Sequence, residues 1–384
     1  MKSLSIQVIF RILLLLVIVF QISLTLVTHS TIYTSQDYWD RFPDLKHQYL
    51  DSQYVNKNPT WVPDEIVNAY AGGALVRGVN PIYIIPDTPP LGKYLIGLSA
   101  VIFQNENIIT FIAAVLSLIF LYKIGFQLFR SATWALILPA LLSSEKIFQN
   151  QFIYTPLYDM LQLVFLLSAF FFFNKGLNTK RYLLYFLLAN GALGLFISTK
   201  FFATGLTILA AGGTVLLLHR MIRPLIVYVL SSAIAPAILL LSYAQAFLLR
   251  PDLREFIGIQ KWVFLYHKSQ LILPFSIWPL MMFNKWYVWF GDKPIISDSQ
   301  WQITWPIITI CSFVIIILYI LQRIRQNLQV EILMAWVFCY FLFFSFGQIT
   351  SRYFVILIPI LYLITIYGIY ELVEKKHLIN HRKK

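Results

Sequence analysis

Charge is what this sequence has least of. Only 12% of its 384 residues are Asp, Glu, Lys or Arg, where soluble domains carry roughly 25%. Hydrophobic residues make up 59% and mean hydropathy is +0.71. A water-surrounded globule is therefore excluded, and a multi-pass membrane protein is expected. Cysteine is nearly absent. Cys311 and Cys339 both fall inside apolar runs, which leaves no disulfide framework and no cysteine-based zinc site. Acids number only 17 and lie scattered, so no metal site is legible and no cofactor is expected. Internal repeats, heptads and low-complexity tracts are lacking as well.

What is present is a series of apolar runs, at about 7–27, 107–129, 132–146, 157–174, 182–197, 201–218, 224–248, 303–322, 331–346 and 353–373. A straight span needs roughly 20 residues, so several of these are short. Residues 182–218 as one helix would measure about 55 Å at 1.5 Å per residue, too long for one crossing. Ser198-Thr199-Lys200 breaks that run, which predicts a tight hairpin with Lys200 at its tip. Residues 94–103 read as an interfacial helix begun at Pro89-Pro90, because proline suits a first helical turn. Residues 1–28 have the basic start and apolar body of a signal sequence without an A-x-A-like cleavage site, and are expected to remain as an anchor.

The net charge of +13 invites a nucleic-acid reading, which its distribution rejects. With the N-terminus in the cytoplasm and ten spans threaded, the inner segments hold 16 of the 30 basic residues and three acids; the outer segments hold 14 of each. All the excess positive charge falls on one side, as the positive-inside rule asks. Both termini are then cytoplasmic, and residues 28–106 and 249–302 are external. Two membrane modules are expected, 1–218 with the first external loop and 219–384 with the second. Trp278, Trp286, Trp289, Trp301 and Trp305 suit an interfacial aromatic belt.

Ionised groups are costly in lipid, so chemistry belongs in the polar stretch 62–98. Asp64 and Glu65 follow Pro63 and open an apolar pattern that ends at Arg77-Gly78, with Gly78 a plausible C-cap. These acids either complement a helix dipole or hold an ionised base near the membrane surface. A proline-braced basic step follows, Thr88-Pro89-Pro90-Leu91-Gly92-Lys93.

The order of acid pair, Pro-Pro-Leu-Gly-Lys and interfacial helix resembles the protein O-mannosyltransferases of the GT-C superfamily. Tyr158-Asp159-Met160-Leu161 is similar to that family's Leu-Asp-x-Met-Leu step, and Gly194 to Lys200 to its Gly-Leu-x-x-Ser-Thr-Lys turn. Trp278-Pro279-Leu280-Met281, preceded by Tyr266-His267, resembles its Trp-Pro-Leu segment. Arg352-Tyr353 with Pro359 resembles the start of the final span in GT-C enzymes. Two positions depart: Thr88 replaces the usual histidine, and Tyr154 stands where an arginine often precedes the Leu-Asp motif. The resemblance implies an all-α integral membrane fold, a GT-C-type multi-pass bundle of about 10–11 spans whose first external loop carries interfacial helices.

It also implies an inverting transfer of a mannose-like sugar from a polyprenyl-phosphate donor to a protein Ser/Thr hydroxyl on the outer face. A phosphate leaving group has a second pKa near 6 and departs without a general acid. A base must take the acceptor proton, and cations must hold the departing phosphate. Asp64 is the expected base, with Glu65 orienting the acceptor or the base. Lys93, Lys200 and Arg352 are the expected phosphate ligands, against a plainer reading as snorkelling side chains. Asp159 either pairs with one of these or caps its helix. Tyr83 is as suited to packing as to sugar stacking, and a lone His267 is more often structural. Rival readings are a GT-C enzyme acting on a lipid or cell-envelope glycan, and a transporter or flippase. The short chain favours a prokaryotic plasma membrane. Oligomeric state is not legible.

Overall fold

The apolar runs fold as helices, since in lipid a backbone must satisfy its own hydrogen bonds. The structure is a computed structural model that describes residues 6–57, 59–200, 203–269, 273–288, 292 and 294–382, with backbone alone at 267–269 and 375–382. Among the described residues, seven helices are long and apolar enough to cross a membrane: Ile6–Thr28, Ile108–Phe129, Asp159–Leu177, Tyr182–Thr199, Ile222–Ser242, Leu328–Ser345 and Ser351–Glu374. Ala132–Ser143, Thr204–Leu218 and Thr304–Ile320 are shorter apolar helices at the remaining three expected positions. The protein is thus an α-helical, multi-pass membrane bundle. Trp289 lies outside the described residues.

The run 182–218 breaks where the Ser-Thr-Lys step stands. One helix ends at Thr199, Lys200 takes extended backbone, and the next begins at Thr204. The run 132–146 departs from expectation. Its helix stops at Ser143, and a second one, Lys146–Ile153, starts beyond Glu145. Glu145 is buried and accepts hydrogen bonds from Thr304 Oγ1 (2.9 Å), Trp305 Nε1 (3.1 Å) and the Tyr362 hydroxyl. A carboxylate tied to two other helices fixes the break there.

One helix forms the centre of the bundle. The apolar part of Ser351–Glu374 is 83% buried, while that of Ile6–Thr28 is 6% buried and faces outward along its length. Between them the helices meet closely at small residues, the usual means of association in lipid. A Cβ on Gly176 would stand 2.7 Å from the Phe186 ring, and one on Gly368 would meet Ile315 at 2.1 Å.

Residues 28–106 form a separate packed cap. Helices Tyr38–Asp51 and Asp64–Val76 bury Tyr38, Phe42, Tyr49, Val67 and Tyr70 against one another. Arg77 lies 4.3 Å over both Trp39 and Phe42. Arg41 bonds Glu106 at 3.0 Å, tying the cap to the start of the Ile108–Phe129 helix. In the 249–302 region the helix Leu253–Ser269 is followed by a short antiparallel pair, Trp286–Tyr287 with Ile295–Ile296.

Candidate active site

Small residues place the acid pair. Helix Asp64–Val76 is buried from Val67 to Leu75 and crosses helix Leu91–Phe103 at glycines. A Cβ on Gly97 would stand 2.3 Å from the Gly72 carbonyl oxygen, and one on Gly73 would meet the Tyr38 hydroxyl at 2.2 Å. That hydroxyl donates to the Ala69 carbonyl at 2.7 Å. Asn68 Nδ2 donates to the Pro156 carbonyl at 3.2 Å, joining this helix to the turn before Asp159. The helix that carries Asp64 at its N-terminus is thereby held from three sides.

Arg352 reaches Asp64 from 288 positions away, its Nη2 donating to Oδ2 at 2.7 Å. It stands in a short 3₁₀ turn, Ser351–Tyr353, ahead of the central helix. That turn is braced twice. Ser351 Oγ donates to Asp298 Oδ2 at 2.5 Å, and the Tyr340 hydroxyl donates to the Tyr353 carbonyl at 2.7 Å. The Asp64 and Arg352 side chains remain 38% and 27% exposed, so the pair is open to exchange partners.

A second ion pair lies alongside. Lys200 Nζ is 2.5 Å from Asp159 Oδ1 and 4.5 Å from the centre of the Tyr353 ring. Tyr353 thus links the two pairs, being next to Arg352 in sequence and beneath Lys200 in space. Burial lowers the Lys200 ammonium from its ordinary range, and Asp159 opposes that shift. Behind the pair opens a cavity of about 460 Å³. Asp159, Gln162 and Lys200 form its polar corner; Phe264, Phe344 and Ile356 are among its apolar walls. An ionic corner in an otherwise apolar cavity can seat an anion with a hydrocarbon tail, beside a carboxylate able to accept a proton.

The other expected residues fall elsewhere. Glu65 makes no hydrogen bond or ion pair among the described residues. Lys93 joins neither ion pair. It is fully buried, and its ammonium donates to the carbonyls of Ile84 (3.1 Å), Ile85 (2.6 Å) and Thr88 (2.7 Å). Three backbone acceptors saturate a group with three N–H bonds, which is a poor arrangement for a phosphate ligand. Burial pushes it down to about 7, with Asp87 pulling the other way. The Tyr83 hydroxyl donates to Glu255 Oε1 at 2.7 Å and accepts from Arg250 Nη1 at 3.1 Å, bridging the cap to the Leu253–Ser269 helix. The side chain of His267 lies outside the described residues.

Asp87 is the residue that reading the sequence passed over. The phenols of Tyr54, Tyr158 and Tyr266 are all pushed above the ordinary tyrosine range, by burial first and then by the carboxylates of Asp87 and Asp64. The signal available beforehand was position alone: Asp87 immediately precedes the Thr-Pro-Pro step.

Residues 87–243 match the family model described as dolichyl-phosphate-mannose-protein mannosyltransferase. The chain resembles the protein mannosyltransferases of the GT-C superfamily. The match includes Asp87, Lys93, Asp159 and Lys200 and excludes Asp64 and Arg352, so the family match and the Asp64–Arg352 contact are independent observations. No curated protein matches the chain significantly. Among solved structures, the archaeal oligosaccharyltransferase AglB from Archaeoglobus fulgidus, in complex with an inhibitory peptide and a dolichol-phosphate, aligns with a TM-score of 0.47 at 13% identity. That alignment covers 90% of this chain and 51% of AglB, so the chain spans about half the length of that relative.

Proposed function

We propose that the protein is an inverting glycosyltransferase that moves a mannose-like sugar from a polyprenyl-phosphate donor to a hydroxyl, with protein Ser or Thr as the preferred acceptor. The observation that supports this most is the Asp64–Arg352 contact beside the cavity whose polar corner holds Lys200. The cavity's apolar walls suit the polyprenyl tail. Arg352, whose planar fork matches a phosphate bidentately, and Lys200 would take the donor phosphate at the mouth.

In this reading the donor phosphate competes with Asp64 for Arg352, and its arrival releases the carboxylate. Asp64 then accepts the proton of the acceptor hydroxyl. The acceptor oxygen attacks the anomeric carbon on the face opposite the phosphate, the carbon–oxygen bond to phosphate breaks, and its electron pair leaves as polyprenyl phosphate. Arg352 and Lys200 stabilise that developing charge. One displacement inverts the anomeric centre. The excess of positive charge on one side of the sequence threading supports a site on the outer face with both termini cytoplasmic, and in this reading the membrane is a prokaryotic plasma membrane.

The same machinery can carry a sugar to a protein, to a lipid or to an envelope glycan. The decisive experiment incubates purified protein with radiolabelled polyprenyl-phosphate hexoses and membrane extract, then locates the label. Label in protein, sensitive to β-elimination, supports the preferred acceptor. Label in a lipid or glycan fraction assigns the alternative, and no labelled product with any polyprenyl-phosphate sugar overturns the reading.

A further inference from the structure

Lys93 and Lys200 have the same side chain and opposite surroundings. Lys200 faces a carboxylate at a cavity wall. Lys93 faces three carbonyl oxygens of one turn and has no exposed surface. A buried ammonium without a counter-charge in contact is costly, and here it is spent on shaping backbone. The turn it gathers is strained: Ile85 sits at φ +49°, a region that β-branched residues seldom occupy. Carbonyls of Ile84, Ile85 and Thr88 converging on one cation would repel each other without it. Asp87 lies within that turn, between two of the three acceptors.

The turn is applied directly to the site. Gly92, at the start of the following helix, packs so closely that a Cβ there would stand 2.7 Å from the Tyr158 ring and 3.1 Å from the Thr199 carbonyl. Tyr158 precedes Asp159 and Thr199 precedes Lys200, so the helix that leaves the turn abuts the neighbours of both partners of the second ion pair. Burial there leaves the Tyr158 phenol under the influence of both Asp87 and Asp64.

We propose that Lys93 is a positioning residue whose ammonium holds the Ile84–Thr88 turn closed, and that Asp87 on this turn is a second carboxylate of the site, orienting the acceptor hydroxyl toward Asp64. This rests on the glycosyltransferase reading for the role of Asp87; the clamp itself does not. Lys93 then has no contact with the donor phosphate.

The test compares Lys93→Gln, Asp87→Asn and Lys200→Met with the unaltered protein in nanodiscs. Binding of undecaprenyl phosphate, read by thermal shift, is expected to weaken at least tenfold in Lys200→Met and to stay within threefold in Lys93→Gln. Amide hydrogen exchange over residues 82–90 is expected to rise at least tenfold in Lys93→Gln and to be unchanged in Asp87→Asn. With labelled donor, both Lys93→Gln and Asp87→Asn lose transfer through a raised acceptor KM, and the double variant is no worse than the poorer single. Lys93→Arg, whose planar fork cannot meet three converging carbonyls, does not rescue. Loss of undecaprenyl phosphate binding in Lys93→Gln with unchanged exchange would make Lys93 a phosphate ligand and overturn the clamp. Full transfer by Asp87→Asn would overturn the role of Asp87. If the unaltered protein binds no undecaprenyl phosphate, the glycosyltransferase reading fails, and the exchange measurement still decides the clamp.

Discussion

Two carboxylate clusters in this molecule use their hydrogen bonds in contrasting ways. At Glu145 a buried carboxylate receives three neutral donors, Thr304, Trp305 and Tyr362, from two other helices. At Asp64 and Asp159 the carboxylates meet cations, Arg352 and Lys200, beside a cavity. Neutral donors saturating a buried acid fix a helix junction and leave nothing to exchange. A cation at a cavity wall, as Lys200 is, or partly exposed, as Arg352 is, can trade one anion for another. A charged group in a membrane bundle is thus a poor guide to function by itself. Its partners, and what lies behind them, separate a structural tie from a binding site.

The largest effect that would test this contrast is at Asp64. Asp64→Asn is expected to lower kcat for sugar transfer by about 10²–10⁴-fold, the range for loss of a general base, with the protein still folded and inserted. Near-normal turnover would remove Asp64 from the chemistry. Arg352→Met comes next. Loss of a charge-assisted hydrogen bond costs about 1.5–3 kcal/mol, so affinity for polyprenyl phosphate should fall roughly 10- to 100-fold, measurable by thermal shift. At Glu145 the opposite pattern is expected. Glu145→Ala orphans three buried donors and opens a void, costing about 2–4 kcal/mol of stability, with phosphate affinity per folded molecule unchanged. Should Glu145→Ala weaken binding as much as Arg352→Met, the distinction between tie and site would collapse.

Much of the bundle was legible because its determinants are local. Run length and apolarity mark the helices, and the Ser198-Thr199-Lys200 step marks the break between two of them. Residue type also pointed to Asp64, Lys200 and Arg352 as charges worth placing. Their partners were not legible, since Asp64 and Arg352 are 288 positions apart and only packing brings them together. Lys93 shows the opposite failure. Its sequence context made it a phosphate-ligand candidate alongside Lys200, yet the turn it closes depends on the dihedral angles of Ile85 and the carbonyls around it. Glu145 fell inside the apolar run 132–146; the donors that make it a junction come from residues 304, 305 and 362.

The smallest expected effect separates two accounts of Tyr83. Its ring is 49% exposed, as a sugar-stacking platform would be, while its hydroxyl bridges Glu255 and Arg250. The bridge ties the cap that holds Asp64 to the helix whose Phe264 lines the cavity. Partly exposed contacts of this kind contribute about 0.5–1 kcal/mol, so their loss should change transfer only about two- to fivefold. Tyr83→Phe keeps the ring and deletes the hydroxyl, while Tyr83→Ala deletes both. If the bridge is what matters, the two variants lose transfer equally, and Glu255→Gln approaches the same value. If the ring stacks on a sugar, Tyr83→Phe keeps full transfer and Tyr83→Ala alone raises KM. The first outcome places Tyr83 with Glu145 among the ties that hold the bundle in register, and the second moves it to the side of the molecule that binds.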